Sequence, residues 1–107
     1  MKREVCFTKK DDALVAMLDA EIDHHTARTI RESIDNELFK EKPSLLVLDF
    51  SGVSFMDSSG VGLILGRAEL CREIGCRVRL SGLSRTLMKI VRLSGIEKID
   101  NIFISDI

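Results

Sequence analysis

The sequence has no tryptophan or tyrosine and only one proline, and it has no large excess of positive or negative charge. Lys and Arg total 16 against 17 for Asp and Glu, a formal net charge of −1. Without a basic surface, binding to nucleic acid phosphates is not expected. No apolar run approaches the roughly 18 residues that span a bilayer, and no secretory apolar segment follows Met1–Glu4. We therefore expect a cytoplasmic protein with neither nucleic acid nor membrane as its partner.

Cysteine and histidine are also scarce, and their positions predict no metal site. There are three cysteines, an odd number, and their spacing matches no zinc or redox motif. They are Cys6, Cys71 and Cys76. We expect them to be small, reduced, buried side chains. His24 and His25 are adjacent, so they point in different directions, and no third ligand has suitable spacing nearby. No cofactor is expected.

The composition is that of an ordinary globular protein. Of the 107 residues, 45% are hydrophobic and 31% are charged, which predicts neither disorder nor a membrane class. A chain of this length is expected to form one domain, residues 1–107, with its own core.

Hydrophobic spacing predicts a sheet whose strands alternate with helices. A hairpin is expected first, turning at Asp11-Asp12, and helices are expected to start after Asp23, Asp57 and Ser84. The first helix should end near Lys40. The predicted strands are Val5–Lys10, Ala13–Leu18, Leu45–Leu48, Arg77–Leu80 and about Ile99–Ile104.

This order predicts an α/β fold with a mixed, mostly parallel sheet of four to five strands. Right-handed crossovers that advance in one direction place the helices on one face of the sheet. The loops after parallel strands share one edge. The loops Asp19–His25, Gly52–Gly60 and Ser81–Arg85 should therefore be neighbours.

The turn between the third strand and the second helix is where we expect function. The unbroken run Leu45–Leu48 is typical of a strand covered on both faces. Asp57 can cap the helix that follows. Ser58, Ser59 and Gly60 then form its first turn, where the helix dipole and free N–H groups favour a negative group such as a phosphate.

A helical wheel of this second helix separates an apolar arc from a glycine side. Gly62 and Gly66 lie on the outer side near Ser58, and since glycine is unfavourable in a helix, they suggest that another backbone approaches there. Arg67 falls within the apolar arc, and we expect its stem to extend to the rim. The residues predicted to face the core are Val61, Ile64, Leu65, Ala68 and Cys71, with Leu63, Leu70 and Ile74 beside them.

Two stretches resemble one family. The run 54–67, Ser-Phe-Met-Asp-Ser-Ser-Gly-Val-Gly-Leu-Ile-Leu-Gly-Arg, resembles the phosphorylation loop and following helix of the bacterial anti-sigma factor antagonists. These are members of the STAS superfamily. The run 21–27, Glu-Ile-Asp-His-His-Thr-Ala, is similar to the first loop of its sporulation branch. The resemblance covers nearly the whole chain and implies the STAS fold.

The resemblance implies a phosphorylation-controlled binding protein and not an enzyme. It places the phosphoacceptor on Ser58, with Ser59 as second choice. The unphosphorylated form would bind an anti-sigma factor that is itself a serine kinase and release the sigma factor, and a serine phosphatase would restore binding. The residues expected to contact the partner are Asp23, His24, Asp57, Ser58, Ser59, Gly60, Gly62 and Gly66.

Other functions remain open at this point. One is a STAS adaptor of a stress-signalling complex with a different kinase. Another is weak nucleotide binding at Gly60-x-Gly62-x-x-x-Gly66, although no acidic residue follows the strand Arg77–Leu80 to hold a ribose. A hydrolase would need a G-x-S-x-G turn, which Ser58 does not have. Arg85 either contacts a phosphate on Ser58 or is simply exposed to solvent.

Overall fold

The computed structural model describes residues 3–105 and alternates strands with helices. The predicted bounds agree within two residues, except that β5 starts later because residues 99–101 form a bend and turn after the 3-10 turn Ile96–Lys98. The elements are β1 (Val5–Lys10), β2 (Ala13–Leu18), α1 (His24–Glu41), β3 (Leu45–Asp49), α2 (Ser58–Glu73), β4 (Arg77–Ser81), α3 (Arg85–Ser94) and β5 (Ile102–Ile104).

The five strands lie in the sheet in chain order, β1-β2-β3-β4-β5. The pair β1 and β2 is antiparallel, and the three following pairs are parallel. Every crossover therefore advances in the same direction, and the right-handed rule places α1, α2 and α3 on one face. The predicted mixed, mostly parallel α/β fold is confirmed.

Strand register sets which side chains meet the helices. Leu14, Leu46 and Val78 pair in one row across the sheet, and all three are buried. They form one apolar cluster with the buried face of α1, which includes Ile30 and Ile34. The core therefore lies between the sheet and the helices.

Both faces of β3 are covered at its centre, as the apolar run indicated, since Leu46, Val47 and Leu48 are all buried. Val47 pairs with Val15 and Arg79 in the row that faces away from the core cluster, and Leu45 points the same way and is half-buried. No described helix packs on that face, yet Val47 is only 3% exposed. Its cross-strand neighbours bury it instead, which produces the same apolar run in the sequence.

The buried face of α2 differs from the predicted arc. Leu65 is 40% exposed, whereas Gly60 and Arg67 are buried. Arg67 does lie within the arc that the wheel predicted, whereas Leu65 was wrongly placed in that arc and Gly60 was not assigned to it. The buried positions repeat every three or four residues and are Gly60, Leu63, Ile64, Arg67, Ala68 and Cys71.

The cysteines are free thiols, as predicted. Cys71 and Cys76 are buried, and Cys6 is half-buried on β1. Among residues 3–105, no helix is both long and apolar enough to cross a membrane.

Candidate functional site

A short parallel bridge joins the first two loops of the site. Ile22 pairs with Met56 outside the main sheet. The backbone N–H of Ile22 donates to the Phe55 carbonyl at 2.9 Å, and the N–H of Asp57 donates to the Ile22 carbonyl at 3.1 Å. The chain positions directly after this bridge, Asp23 and Asp57, cap α1 and α2. Two helix starts are thereby held side by side.

The loop after β4 packs against the loop after β3. The Phe50 N–H donates to the Ser81 carbonyl at 2.8 Å. Gly82 has a positive φ of 69°, and a Cβ there would lie 2.7 Å from Asp49 Oδ1 and 2.8 Å from the Ser51 nitrogen. Only glycine fits this approach. The first two predicted loops are therefore neighbours, and the third lies against residues 49–51, directly before the second.

The start of α2 exposes one serine and partly buries the next. Asp57 Oδ1 accepts a hydrogen bond from the Ser59 N–H at 2.7 Å, the capping contact predicted from the sequence. Ser58 is the first helical residue and is exposed, and its hydroxyl makes no hydrogen bond within residues 3–105. Ser59 is half-buried. Of the two serines, Ser58 is the more accessible to another molecule.

Gly60 lies beneath this turn and is buried. A Cβ built at Gly60 would lie 2.0 Å from Met56 Cγ and 2.3 Å from Met56 Sδ. Met56 is itself 2% exposed and has little room to move. The absence of a side chain at Gly60 therefore allows the turn that presents Ser58 to close on the core.

One side of α2 continues outward from Ser58. Ser58, Val61, Gly62 and Leu65 follow the three- and four-residue spacing of one helix face, which we call the Ser58 face. Gly62 is exposed, and no described atom lies within 4 Å of a Cβ built there. The same holds for Gly66, which is half-buried. The backbone approach expected at these glycines is not made within residues 3–105, and the surface is open to another molecule.

Asp23 is committed to the start of α1. Its Oδ1 accepts hydrogen bonds from the N–H groups of His25 and Thr26, both at 2.9 Å. Thr26 Oγ1 accepts the Asp23 N–H at 3.0 Å and completes a capping box. These contacts to Asp23 use Oδ1, which leaves Oδ2 free of the capping bonds. His24 and His25 are both exposed.

The cap makes acid stability depend on Asp23. The hydrogen bond from the Thr26 N–H is the main cause that lowers the pKa of Asp23 below its ordinary 3.8, with partial desolvation opposing it. The folded state therefore holds this proton less readily than the unfolded state. The stability that Asp23 contributes is present above pH 3.8, the ordinary pKa of its carboxyl group. It is lost as the pH falls through the lower pKa that Asp23 has in the folded state.

We expect Asp23→Asn to lower the free energy of unfolding at neutral pH, with the deficit closing in acid. Asparagine still caps the helix but carries no charge. Urea unfolding over a series of pH values measures the difference from the unsubstituted protein. Asp23→Ser, a second uncharged cap, should show the same closing deficit. A deficit that is constant with pH would show that the charge of Asp23 does not cause the loss of stability in acid.

Arg67 does not extend to the rim, which corrects the prediction made from the wheel. It is 6% exposed, and its Nε lies 2.7 Å from Asp35 Oδ1 on α1. Nε of Arg67 and Oδ1 of Asp35 form an ion pair, but their angle is unsuitable for a hydrogen bond. Nη1 of Arg67 also has no hydrogen-bond partner in the described structure. Burial lowers the pKa of Arg67 and raises the pKa of Asp35, and the attraction between the two opposes both shifts. Desolvation therefore outweighs pairing here.

A cleft of about 570 Å³ opens between α1 and α2 beside the Ser58 face. We call it the α1–α2 cleft. It was not predicted from the sequence, because the arginines that line it lie on two different helices. A larger groove of about 1140 Å³ runs along β1 and α1 and includes Asp23 but not Ser58. The polar and glycine residues that line the α1–α2 cleft include His24, Arg28, Arg31, Ser59, Gly66 and Arg67.

Two other predicted features can be placed. Arg85 begins α3 and is exposed, and among residues 3–105 its side chain makes no hydrogen bond or ion pair with the start of α2. No group of three His, Cys, Asp or Glu side chains in this part of the chain is arranged to hold a metal ion.

The fold and the site define a class: a small α/β domain that presents an exposed serine and an open helix face at one edge of a mixed sheet. More specifically, the chain belongs to the STAS domain family, whose model matches residues 5–105.

Relatives within this family include regulators of sigma factors. The chain is 36% identical over 85 residues to the anti-sigma F factor antagonist of Lysinibacillus sphaericus, covering 79% of this chain and 73% of that protein. The structure of the anti-sigma factor antagonist SpoIIAA in its unphosphorylated form matches with a TM-score of 0.79 at 30% identity, over 94% of this chain and 87% of that one. The phosphorylated form of the Bacillus cell fate determinant SpoIIAA matches with a TM-score of 0.71 at 30% identity, over 94% and 90%.

Proposed function

We propose that this protein is an anti-sigma factor antagonist switched by phosphorylation of Ser58. The observation that carries the proposal is the exposed, unbonded Ser58 hydroxyl at the first position of α2, next to an open helix face. A kinase needs an accessible hydroxyl, and a docking partner can approach the backbone closely where glycines carry no side chain. The start of α2 offers both in one place.

In the unphosphorylated state, the partner is an anti-sigma factor that is also an ATP-dependent serine kinase. It docks on the Ser58 face and on the neighbouring start of α1, and the sigma factor is released. The proposed contacts are Asp23, His24, Asp57, Ser58, Ser59, Gly60, Gly62 and Gly66. These events would take place in the cytoplasm, and the protein would act by binding, without catalysis of its own.

Phosphorylation would change the surface and leave the fold intact. A phosphate adds about −1.5 to −2 charges, which the N-terminus of α2 accommodates. The Asp57 carboxylate already stands beside Ser58, so negative charge accumulates where the partner must approach. Repulsion and desolvation then oppose docking. A serine phosphatase would remove the group and restore binding.

Transfer of phosphate from ATP tests this proposal. The protein is incubated with ATP and the candidate anti-sigma factor kinase of the same genome, and its intact mass is measured. We expect the gain of one phosphate group, retained in Ser59→Ala and absent in Ser58→Ala. Ser59 is the matched control because it is the adjacent serine in the same helical turn. A gain that persists in Ser58→Ala and is lost in Ser59→Ala would overturn the assignment of Ser58.

A further inference from the structure

The α1–α2 cleft concentrates positive charge that the protein does not neutralise. Arg28, Arg31 and Arg67 all line it. The carboxylates close to them are Asp35, which pairs with Arg67, and Glu32, whose Oε1 lies 3.5 Å from Arg28 Nε on an exposed part of α1. Arg31 and Arg67 are close enough to repel one another. Three guanidinium groups therefore face two carboxylates, and an anion would relieve the imbalance.

Arg67 supplies the independent observation that points to a ligand. Its side chain is only 7% exposed and lines the cleft, and its Nη1 is buried without a hydrogen-bond partner. A buried donor left unpaired is costly, and an unpaired charged donor more so. Such a buried, unpaired donor calls for an explanation, and an anion that draws the guanidinium group toward the cleft would provide one.

The shape of the cleft admits a small group. Gly66 lines it without a side chain, and a Cβ built at Gly62, also on its lining, would meet no described atom within 4 Å. Ser59 adds a half-buried hydroxyl to the same lining. Guanidinium groups bind carboxylates and phosphates through paired N–H donors in a fixed geometry.

We propose that the α1–α2 cleft is an oxyanion-binding site in which Arg67 and Arg31 hold a phosphate or carboxylate group. The site is separate from Ser58, which does not line the cleft. The oxyanion can arrive free, as inorganic phosphate, or as the carboxylate of an acidic side chain. The proposal concerns the isolated chain, so it does not depend on the proposed function and can fail without affecting it.

Titration of the purified protein with inorganic phosphate at constant ionic strength tests the site. Backbone amide shifts of Ser59, Gly62 and Gly66 in NMR spectra report on the cleft. We expect saturable shifts with a dissociation constant on the order of 1 mM, as befits one small anion. A parallel titration with N-acetylglutamate amide uses the same readout, and tighter binding of this probe identifies a carboxylate as the preferred group.

Matched arginine variants decide whether the site is specific. Arg31→Gln removes a charge from the cleft, and Arg85→Gln removes the same charge from the exposed start of α3. We expect Arg31→Gln to weaken binding of the anion about tenfold and Arg85→Gln to leave it unchanged. Arg31 is exposed, so its replacement does not threaten the core. Shifts that never saturate with either probe, or equal weakening in the two variants, would overturn the proposal.

Discussion

Gly60→Ala is expected to lower the free energy of unfolding by about 3 kcal/mol, at the upper end of the cost of overpacking a core. The added methyl would lie 2.0 Å from Met56 Cγ, with Ile22 Cγ2 at 3.4 Å on another side. Both neighbours are buried and belong to the bridge that joins the two loops. The backbone of the turn must therefore move, and Ser58 moves with it.

Gly62→Ala is the matched control in the same helix, two residues further on. Apart from the local helix backbone, no atom of residues 3–105 lies within 4 Å of its added Cβ, so the substitution changes only helix propensity. We expect a gain of about 1 kcal/mol in the free energy of unfolding. Urea unfolding of both variants, followed by circular dichroism, measures the two effects. Changes of the same sign would contradict the packing described here for the start of α2.

The order and bounds of the elements were predictable because local signals agree with the fold. Asp23, Asp57 and Ser84 were all expected to cap helices, and each accepts a hydrogen bond from a backbone N–H in the first turn. Gly95 closes α3 with a positive φ of 79° at the C-cap, a position that favours glycine. Such contacts lie within a few residues along the chain, so the sequence alone carries them.

The details of α2 were less predictable because they depend on what packs against it. Leu65 was expected in the core and is exposed, whereas Arg67 was expected at the rim and is buried. The partner of Arg67 is Asp35, 32 positions earlier on α1, and no local pattern connects the two. This ion pair joins two helices, and the periodicity of one helix does not reveal a contact of that kind.

The exposure of Leu65 gives the Ser58 face a chemistry that the sequence did not suggest. Leu65 is 40% exposed and Val61 is half-buried, so apolar surface lies one and two turns from Ser58. Between them, Gly62 keeps the backbone accessible. Apolar contact of this kind contributes affinity that a nearby charge can oppose, so we expect one phosphate on Ser58 to weaken docking at this face.

Ser58→Asp is expected to weaken binding to the anti-sigma factor at least about tenfold, and the phosphorylated protein about a hundredfold. Aspartate adds one negative charge beside Asp57, and phosphate adds more charge and more bulk. Ser58→Ala adds neither, so its affinity should stay within about twofold of the unsubstituted protein. Isothermal titration calorimetry with the purified anti-sigma factor measures all three.

Thr86→Asp separates a local effect of charge from a general one. Thr86 is exposed in the first turn of α3, so its substitution adds the same charge near a helix N-terminus on a different helix. We expect its affinity to remain unchanged, because the proposed docking surface comprises α2 and the start of α1 and does not include α3. If Thr86→Asp weakened binding as much as Ser58→Asp, the response would reflect net charge. If the phosphorylated protein bound as tightly as the unmodified one, phosphate would not act as a switch at this surface.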